Sequence, residues 1–350
     1  MPENNADNST GTPRPPGGRP DFRKYEQRYL EWGKAHPEFI YAAAPDSVDG
    51  GFNRPPPDRD SNPPDERPPA RPHGQNPPPP EMMKTMQEMQ TGMRRAWEDI
   101  EPYYDNPEIQ PFEPKPNLWE DLLKFVADNW DDVNIGFTEL PRQMIFRDKF
   151  TLFKYALVVS QEMKKDKINL APGTEAGQEV MRVYSSLGLV VNDIARWLRQ
   201  QGERCQSNHP MGGLVNTPSL GGKAGMGWQG RSGILITPQY GPRVRLAPVF
   251  IEHQVFDFTD NRNHDWIEKH CAGCGICARE CPGQAIYSEK RINIDGVPGI
   301  GALRTCIDRG KCMGPFSQTQ GCSVCIKVCP FSQGDGTYAR LKTAVENKTG

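Results

Sequence analysis

Apolar positions along the chain fall into a few regular patterns separated by long polar stretches. NLWEDLLKFVADNW, from residue 117, places Leu118, Leu122, Phe125 and Val126 on one face of an amphipathic helix. VNIGF (133–137), YALVVS (155–160) and SGILITP (232–238) are short apolar runs of strand type. The longest helical pattern covers 174–201 and stops at Gly202. Helices alternating with strands predict an α/β or α+β sheet domain over 117–265. Upstream, Met82, Met86, Met89, Met93 and Trp97 recur at helical spacing over 81–99, which predicts an amphipathic helix packed on that domain. FRKYEQRYLEW (22–32) has the pattern of a shorter helix.

Composition changes the picture at the N-terminal end. The 350 residues include 35 Pro and 34 Gly, and proline peaks at 55–57, 63–72 and 77–80. Such a segment buries too little apolar area to offset its ordering entropy, so residues 1–116 are expected to be a Pro-rich, largely disordered arm carrying the Met-rich helix. The expected order is then a sheet domain (117–265), a cysteine module (266–335) and a C-terminal tail (336–350). A net charge of −2 gives no electrostatic reason to expect nucleic acid as a partner. No run of about 18 or more apolar residues is present, and the N-terminus shows no leader pattern, so the chain is expected to lack a transmembrane segment and to be cytoplasmic.

Nine of the ten cysteines lie between residues 271 and 329. The first motif is Cys271-x2-Cys274-x2-Cys277-x3-Cys281-Pro282, and the second ends Cys322-x2-Cys325-x3-Cys329-Pro330. This is the spacing of a bacterial-ferredoxin-type pair of [4Fe–4S] clusters, in which the fourth cysteine of each run serves the other cluster. Cys271, Cys274, Cys277 and Cys329 are therefore expected to hold one cluster, and Cys281, Cys322 and Cys325 part of the second. The eighth thiolate comes from Cys312 or Cys306, with Cys312, in KCMGPFSQTQGC, preferred as the nearer. CxxC pairs also make zinc sites, but eight usable cysteines with two Cys-Pro endings fit two cubanes better. Cys205, alone in mid-chain, is expected to be a core or loop thiol.

A ferredoxin needs only about 60 residues of this kind, and a longer ordered stretch precedes the module. In KAGMGWQGRSGILITPQYGPRVRLAPVF, Gly225, Gly227, Gly230 and Gly233 are frequent enough to let backbone approach a large ligand. Their spacing matches neither a dinucleotide fingerprint nor a Walker A loop. Together with YALVVSQEM, VYSSLGLVVNDIARWLRQQG and the two cysteine motifs in this order, the segment resembles the cobalamin-dependent reductive dehalogenases and their relatives, the epoxyqueuosine reductases. The resemblance covers roughly 118–335.

The resemblance implies a nitroreductase-like core that binds a corrinoid base-off, with contacts expected at Gly225, Gly227, Trp228, Gly230 and Arg231. DNRNHDWIE (260–268) offers no DxHxxG motif, in keeping with base-off binding. Tyr184 falls at the family's proton donor. A phenol is a weak acid that a neighbouring cation strengthens, and Arg243, ahead of Arg245, takes the position of that cation. CQSNHPMGG replaces the family's GND-like stretch, so Asn208 or His209 stands in for its Asn. The implied activity is reductive dehalogenation of a small organohalide by Co(I), fed through both clusters by an external low-potential donor, ferredoxin- or flavodoxin-like, with a membrane-anchor partner left open. Two alternatives are an epoxyqueuosine-reductase-like enzyme and a non-catalytic electron-transfer protein. Asn216, where the former group places a catalytic Asp, counts against that reaction.

Overall fold

The computed structural model describes residues 23–47, 80–260, 264–286, 293–294, 303–304, 307–319 and 321–349. The proline runs at 55–57 and 63–72, and Cys306, lie outside the described residues. Four strands, β1 (Val133–Glu139), β2 (Tyr155–Glu162), β3 (Cys205–Ser207) and β4 (Val244–Ile251), form one antiparallel sheet in the order β1-β2-β4-β3. The register pairs Phe137 with Leu157, and Leu157 with Val249. With helices on its faces, this is the α+β member of the expected pair of classes.

Alternation along the strands divides the core in two. Phe137, Leu157, Val159, Ala247, Val249 and Ile251 face one way, and Ala156, Val158, Leu246 and Phe250 the other. Of the principal helices, α1 (Arg23–Ala35) and α2 (Pro80–Glu98) lie upstream, while α3 (Leu118–Asn129) and α4 (Thr174–Gln200) cover the first face. Leu118, Leu122 and Val126 of α3, and Leu187, Val191, Ile194 and Leu198 of α4, are the apolar stripe that closes it. Among the described residues no helix is long and apolar enough to cross a membrane.

Several expectations need correction. The arm expected over 1–116 is, in its described part, built into the core. Tyr29 of α1 is fully buried, stacks on Phe150 with ring centroids 4.3 Å apart, and packs with Trp97 and Ile100 on the second face of the sheet. An aromatic side chain buries enough surface to hold an otherwise polar helix in place, which a reading dominated by proline content misses. The helix expected over 81–99 is α2 and packs on the core as expected, with Trp97 of its stripe buried beside Gly92 and Ala96, Met86, Met89 and Met93 half-buried, and Met82 exposed at its start. The strand expected at 232–238 shrinks to Leu235–Ile236, paired with Trp228–Gln229. Residues expected to form a tail are instead a helix, Asp335–Thr349.

Helices α2 and α4 approach closely because both are small at the crossing. Asn192 Nδ2 donates to the Gly92 carbonyl at 3.0 Å, and Ser185 Oγ donates to Thr85 O at 3.1 Å. The ring of His209 fills the notch that remains. A Cβ on Gly188 would stand 2.1 Å from His209 Cδ2 and 2.2 Å from its Nε2. Gly188→Ala is therefore expected to destabilise by about 1–3 kcal/mol, because overpacking outweighs the gain in helix propensity. Adding His209→Ala should recover part of that loss, and urea unfolding of the single and double variants measures both.

A buried carboxylate sits where α4 returns to the sheet. Glu203 accepts from the Glu252 and His253 backbone N–H groups, each at 3.1 Å, and lies 3.0 Å from His253 Nδ1. Burial pushes its carboxyl up to about 7. The folded pKa exceeds the unfolded one, so the stability from this group is complete at low pH and is lost as pH rises through about 7. Glu203→Gln is expected to flatten that slope, worth at most about 1.4 kcal/mol per pH unit for one proton. Urea melts at pH 5 and pH 8 measure it.

Candidate functional site

The cysteines form two adjacent rings. Cys271 and Cys274 end the helix Trp266–Cys274, and Cys277 lies in the next turn, Ile276–Arg279. Between them Gly275 adopts a left-handed conformation (φ 58°), which lets the chain reverse at no Cβ cost. Cys329, fixed by the following Pro330, completes this outer ring: burial, and then the neighbouring thiols Cys271, Cys277 and Cys274, push its own thiol up. Around Cys325 stand Cys277, Cys312, Cys322 and Cys281. Burial first, and those thiols next, push it up to about 12. Cys281 Sγ also accepts a hydrogen bond from the Ala285 N–H at 3.3 Å.

This donor set suits iron–sulfur clusters. Buried thiols crowded together resist ionising on their own, and a cationic iron cage is what makes four thiolates in one place favourable. Among the described residues, no group of three or more His, Cys, Asp and Glu side chains is set to hold a single metal ion. The wider cubane is the group the two rings match.

The rings are strapped to the core at several points. Arg231 donates from Nε to the Cys271 carbonyl and from Nη2 to the Ala272 carbonyl, both at 3.1 Å. Arg243 donates from Nε to Ser332 O at 2.9 Å, and Lys327 Nζ donates to Ala171 O at 2.7 Å. His264 bridges the Gly225 carbonyl (3.0 Å) and the Tyr338 hydroxyl (2.5 Å). Trp228 packs with Cys271, Cys329, Trp266 and Phe331 beside the outer ring. The inner ring meets the core elsewhere, where Cys325 and Ile326 join Tyr184, Val183 and Ile234 in one apolar cluster.

Tyr184 therefore lies beside the inner ring, partly buried on α4. Its cation is Arg245, whose guanidinium carbon sits 4.8 Å from the ring centroid, and the Nε of Arg245 is buried without a hydrogen-bond partner. The preference for Arg243 needs correction. That side chain is 3% exposed and occupied by Glu162, the Met163 carbonyl and Ser332. Position gives the reason: Arg243 precedes β4 and is held by its own partners, whereas Arg245 lies within the strand, paired with Gln161, on the face it shares with Ala247, Val249 and Ile251. Asn208 closes its own loop instead, accepting from the Leu214 N–H at 3.2 Å and donating to Gly212 O at 3.4 Å. His209 is buried, its imidazole pushed down to about 3 by burial, with Nδ1 accepting from the Met211 N–H at 3.1 Å. Asn216 caps the helix Thr217–Lys223 by accepting from the Ser219 N–H at 3.3 Å.

The glycine-rich loop is filled largely by the protein itself. A Cβ on Gly225 would lie 2.1 Å from Thr259 O, and one on Gly227 2.1 Å from Ile236 O. Gly230 packs under Ile236, with Cys271 Sγ 3.7 Å from its Cβ position. The Arg231 and His264 straps, and the C-terminal helix, escaped the sequence reading. An Arg donating to backbone carbonyls leaves no motif, and Tyr338 gives a signal only once its helix is placed. Cys205 is a buried thiol that donates to Ala195 O at 3.2 Å.

An α+β core carrying two rings of four cysteines defines a two-cluster iron–sulfur protein. The 4Fe-4S dicluster domain family matches residues 270–333. Over 183 residues the chain is 29% identical to the tetrachloroethene reductive dehalogenase of Sulfurospirillum multivorans, covering 51% of this chain and 36% of that protein. Over 144 residues it is 28% identical to an epoxyqueuosine reductase of Synechocystis sp., covering 39% and 47%. The fold is similar to that of the catabolic reductive dehalogenase NpRdhA, with a TM-score of 0.55 and 18% identity over 75% of this chain and 41% of that one. The chain is thus similar to the reductive dehalogenases and, over a shorter stretch, to the epoxyqueuosine reductases. It spans about a third of the length of the curated dehalogenases it matches.

Proposed function

We propose that the protein is a corrinoid- and iron–sulfur-dependent reductase that removes halide from a small organohalide. The observation that carries this is the Tyr184–Arg245 pair beside Cys325: a partly buried phenol, a cation against its ring, and an orphaned guanidinium N–H, all at the inner cysteine ring. A buried donor without a partner costs about 1–3 kcal/mol, so a bound group that accepts from Arg245 Nε is favoured there. Arg245, Trp228, Gly230 and Arg231 are the residues we assign to holding the corrinoid; Gly225 and Gly227 instead give way to the Thr259 and Ile236 carbonyls. When bound, that cofactor supplies the two-electron chemistry at the carbon–halogen bond.

The chain's own residues supply the proton, and an external reductant supplies the electrons. The net change is R–X + 2 e⁻ + H⁺ → R–H + X⁻, with the electrons given singly by an external low-potential carrier, ferredoxin- or flavodoxin-like. Tyr184 Oη donates the proton, and Arg245 stabilises the phenolate left behind. Arg243 and Asn208 serve as positioning residues, the first holding Ser332 near the rings and the second shaping the 208–214 loop. An epoxyqueuosine-type reaction is disfavoured, because Asn216 has no acidic proton and its side chain is committed to a helix cap. A cytoplasmic setting, which keeps thiols reduced until iron arrives, suits the nine described free cysteines.

Anaerobic reconstitution with iron, sulfide and corrinoid tests the reading. About one corrinoid per chain should be retained, seen by its visible absorbance. Two intact clusters with no corrinoid retained would leave an electron carrier in place of the enzyme. If corrinoid binds, haloarenes and haloalkenes assayed with a reduced viologen identify the substrate class.

A further inference from the structure

We propose that electrons enter through the groove between the helix Trp266–Cys274 and the C-terminal helix Asp335–Thr349, and that its occupant is a small acidic one-electron carrier protein. The reductase reading is needed only for where the electrons finish. A cavity of about 560 Å³ lies between the two helices, walled by Lys269, His270, Gly273 and Cys274 on one side and by Leu341, Ala344 and Val345 on the other. Cys274 belongs to the outer ring, so a group seated here lies against a cluster ligand. The inner ring adjoins Tyr184 instead. The relay thus has one end at the proposed chemistry and one at this groove.

The groove has the anatomy of a docking surface. Leu341 and Val345, one helical turn apart, give an apolar ridge. Lys269, Gly273 and Ala344 are exposed, and a Cβ on Gly273 would meet nothing within 4 Å, so a partner's backbone can come close to the ring. Charge selects the partner. Lys269 lines the groove, and among the described residues that wall it there is no carboxylate. Arg279, exposed beside it, donates to the Cys274 carbonyl at 2.8 Å, and Lys342 follows Leu341. The acids on the same elements are Glu268, Glu280, Asp335 and Glu346, of which Glu346 lies 3.9 Å from Lys342. Lys269 in the wall, with Arg279 and Lys342 on the neighbouring surface and an apolar floor of Leu341 and Val345, suits a carrier whose redox group is ringed by acids. Each encounter moves one electron: the carrier's centre is oxidised by one, the outer cluster is reduced by one, and no bond changes.

Stopped-flow mixing of the oxidised, cluster-loaded protein with reduced flavodoxin tests this through growth of the flavin semiquinone, without corrinoid or organohalide. Lys269→Glu and Ala344→Glu are each expected to slow that second-order reaction at least ten-fold at low salt, and to leave reduction by dithionite unchanged. Both substitutions sit at exposed positions, so folding is not the variable. Unchanged flavodoxin rates in both variants, or equal slowing with dithionite, would overturn the proposal. Saturable binding of free FMN that Ala344→Glu abolishes, with flavodoxin rates intact, would assign the groove to a small ligand and overturn it too. Because the readout is cluster reduction, this result stands or falls apart from dehalogenation.

Discussion

Tyr184→Phe is expected to lower reductive turnover by about 100-fold or more while leaving the absorbance of both clusters unchanged. The substitution removes one oxygen and keeps the ring that packs with Val183, Ile234 and Ile326, so the apolar cluster beside the inner ring survives. What goes is the proton source, and positioned proton donors are worth about 10²–10⁴ in rate. The measurement is viologen-driven turnover over a pH series, next to iron content and visible spectra. A loss caused only by damaged packing would appear as lost iron; a lost donor leaves iron intact and steepens the dependence on solvent acidity. Full turnover in the Phe variant would remove Tyr184 from the chemistry.

Cys325→Ser should do more. Cys325 is partly buried, stands among Cys277, Cys312, Cys322 and Cys281, and packs in the same apolar cluster as Tyr184. A hydroxyl is a far poorer iron ligand than a thiolate, and the site has little room for water to replace it. The expected result is loss of the inner cluster, with iron falling from about eight to about four per chain. The outer ring has its own four thiols and should keep its cluster. Turnover should then fall to background even with excess reductant, whereas carrier-driven reduction at the outer ring persists. Retention of both clusters would mean that a different thiol closes the inner ring.

Much of this was legible along the chain. The cysteine spacing pointed to a two-cluster module, and the thiols do crowd together around Cys325 and Cys329, because short loops set ligand geometry locally. Helices α3 and α4 and strands β1 and β2 follow from apolar periodicity, which tertiary packing reinforces here. What sequence pattern missed are features fixed only in three dimensions. Tyr29 is an apolar anchor in a polar helix, and its value depends on Phe150, far along the chain. Arg243 and Arg245 look equivalent until their partners separate them, Glu162 and Ser332 for the first and the Tyr184 ring for the second. Gly225 and Gly227 read as room for a ligand, yet the Thr259 and Ile236 carbonyls already occupy the space that their side chains would need. Glycine frequency reports a close approach without saying what approaches.

Chain order also has a consequence for biogenesis. Every strand of the main sheet is complete by Ile251, and the first cluster cysteine comes at Cys271. Elements that emerge first from the ribosome can fold first, so the sheet can form before any thiol needs iron. The straps from Arg231, Arg243 and His264 then offer a finished template on which the cysteine loops settle. Helix Asp335–Thr349, translated after the cysteine motifs, packs beside the outer ring through Tyr338, Leu341 and Val345. Chain order thereby allows cluster insertion to follow folding of the sheet, with the helix Asp335–Thr349 settling against the loaded loops afterwards.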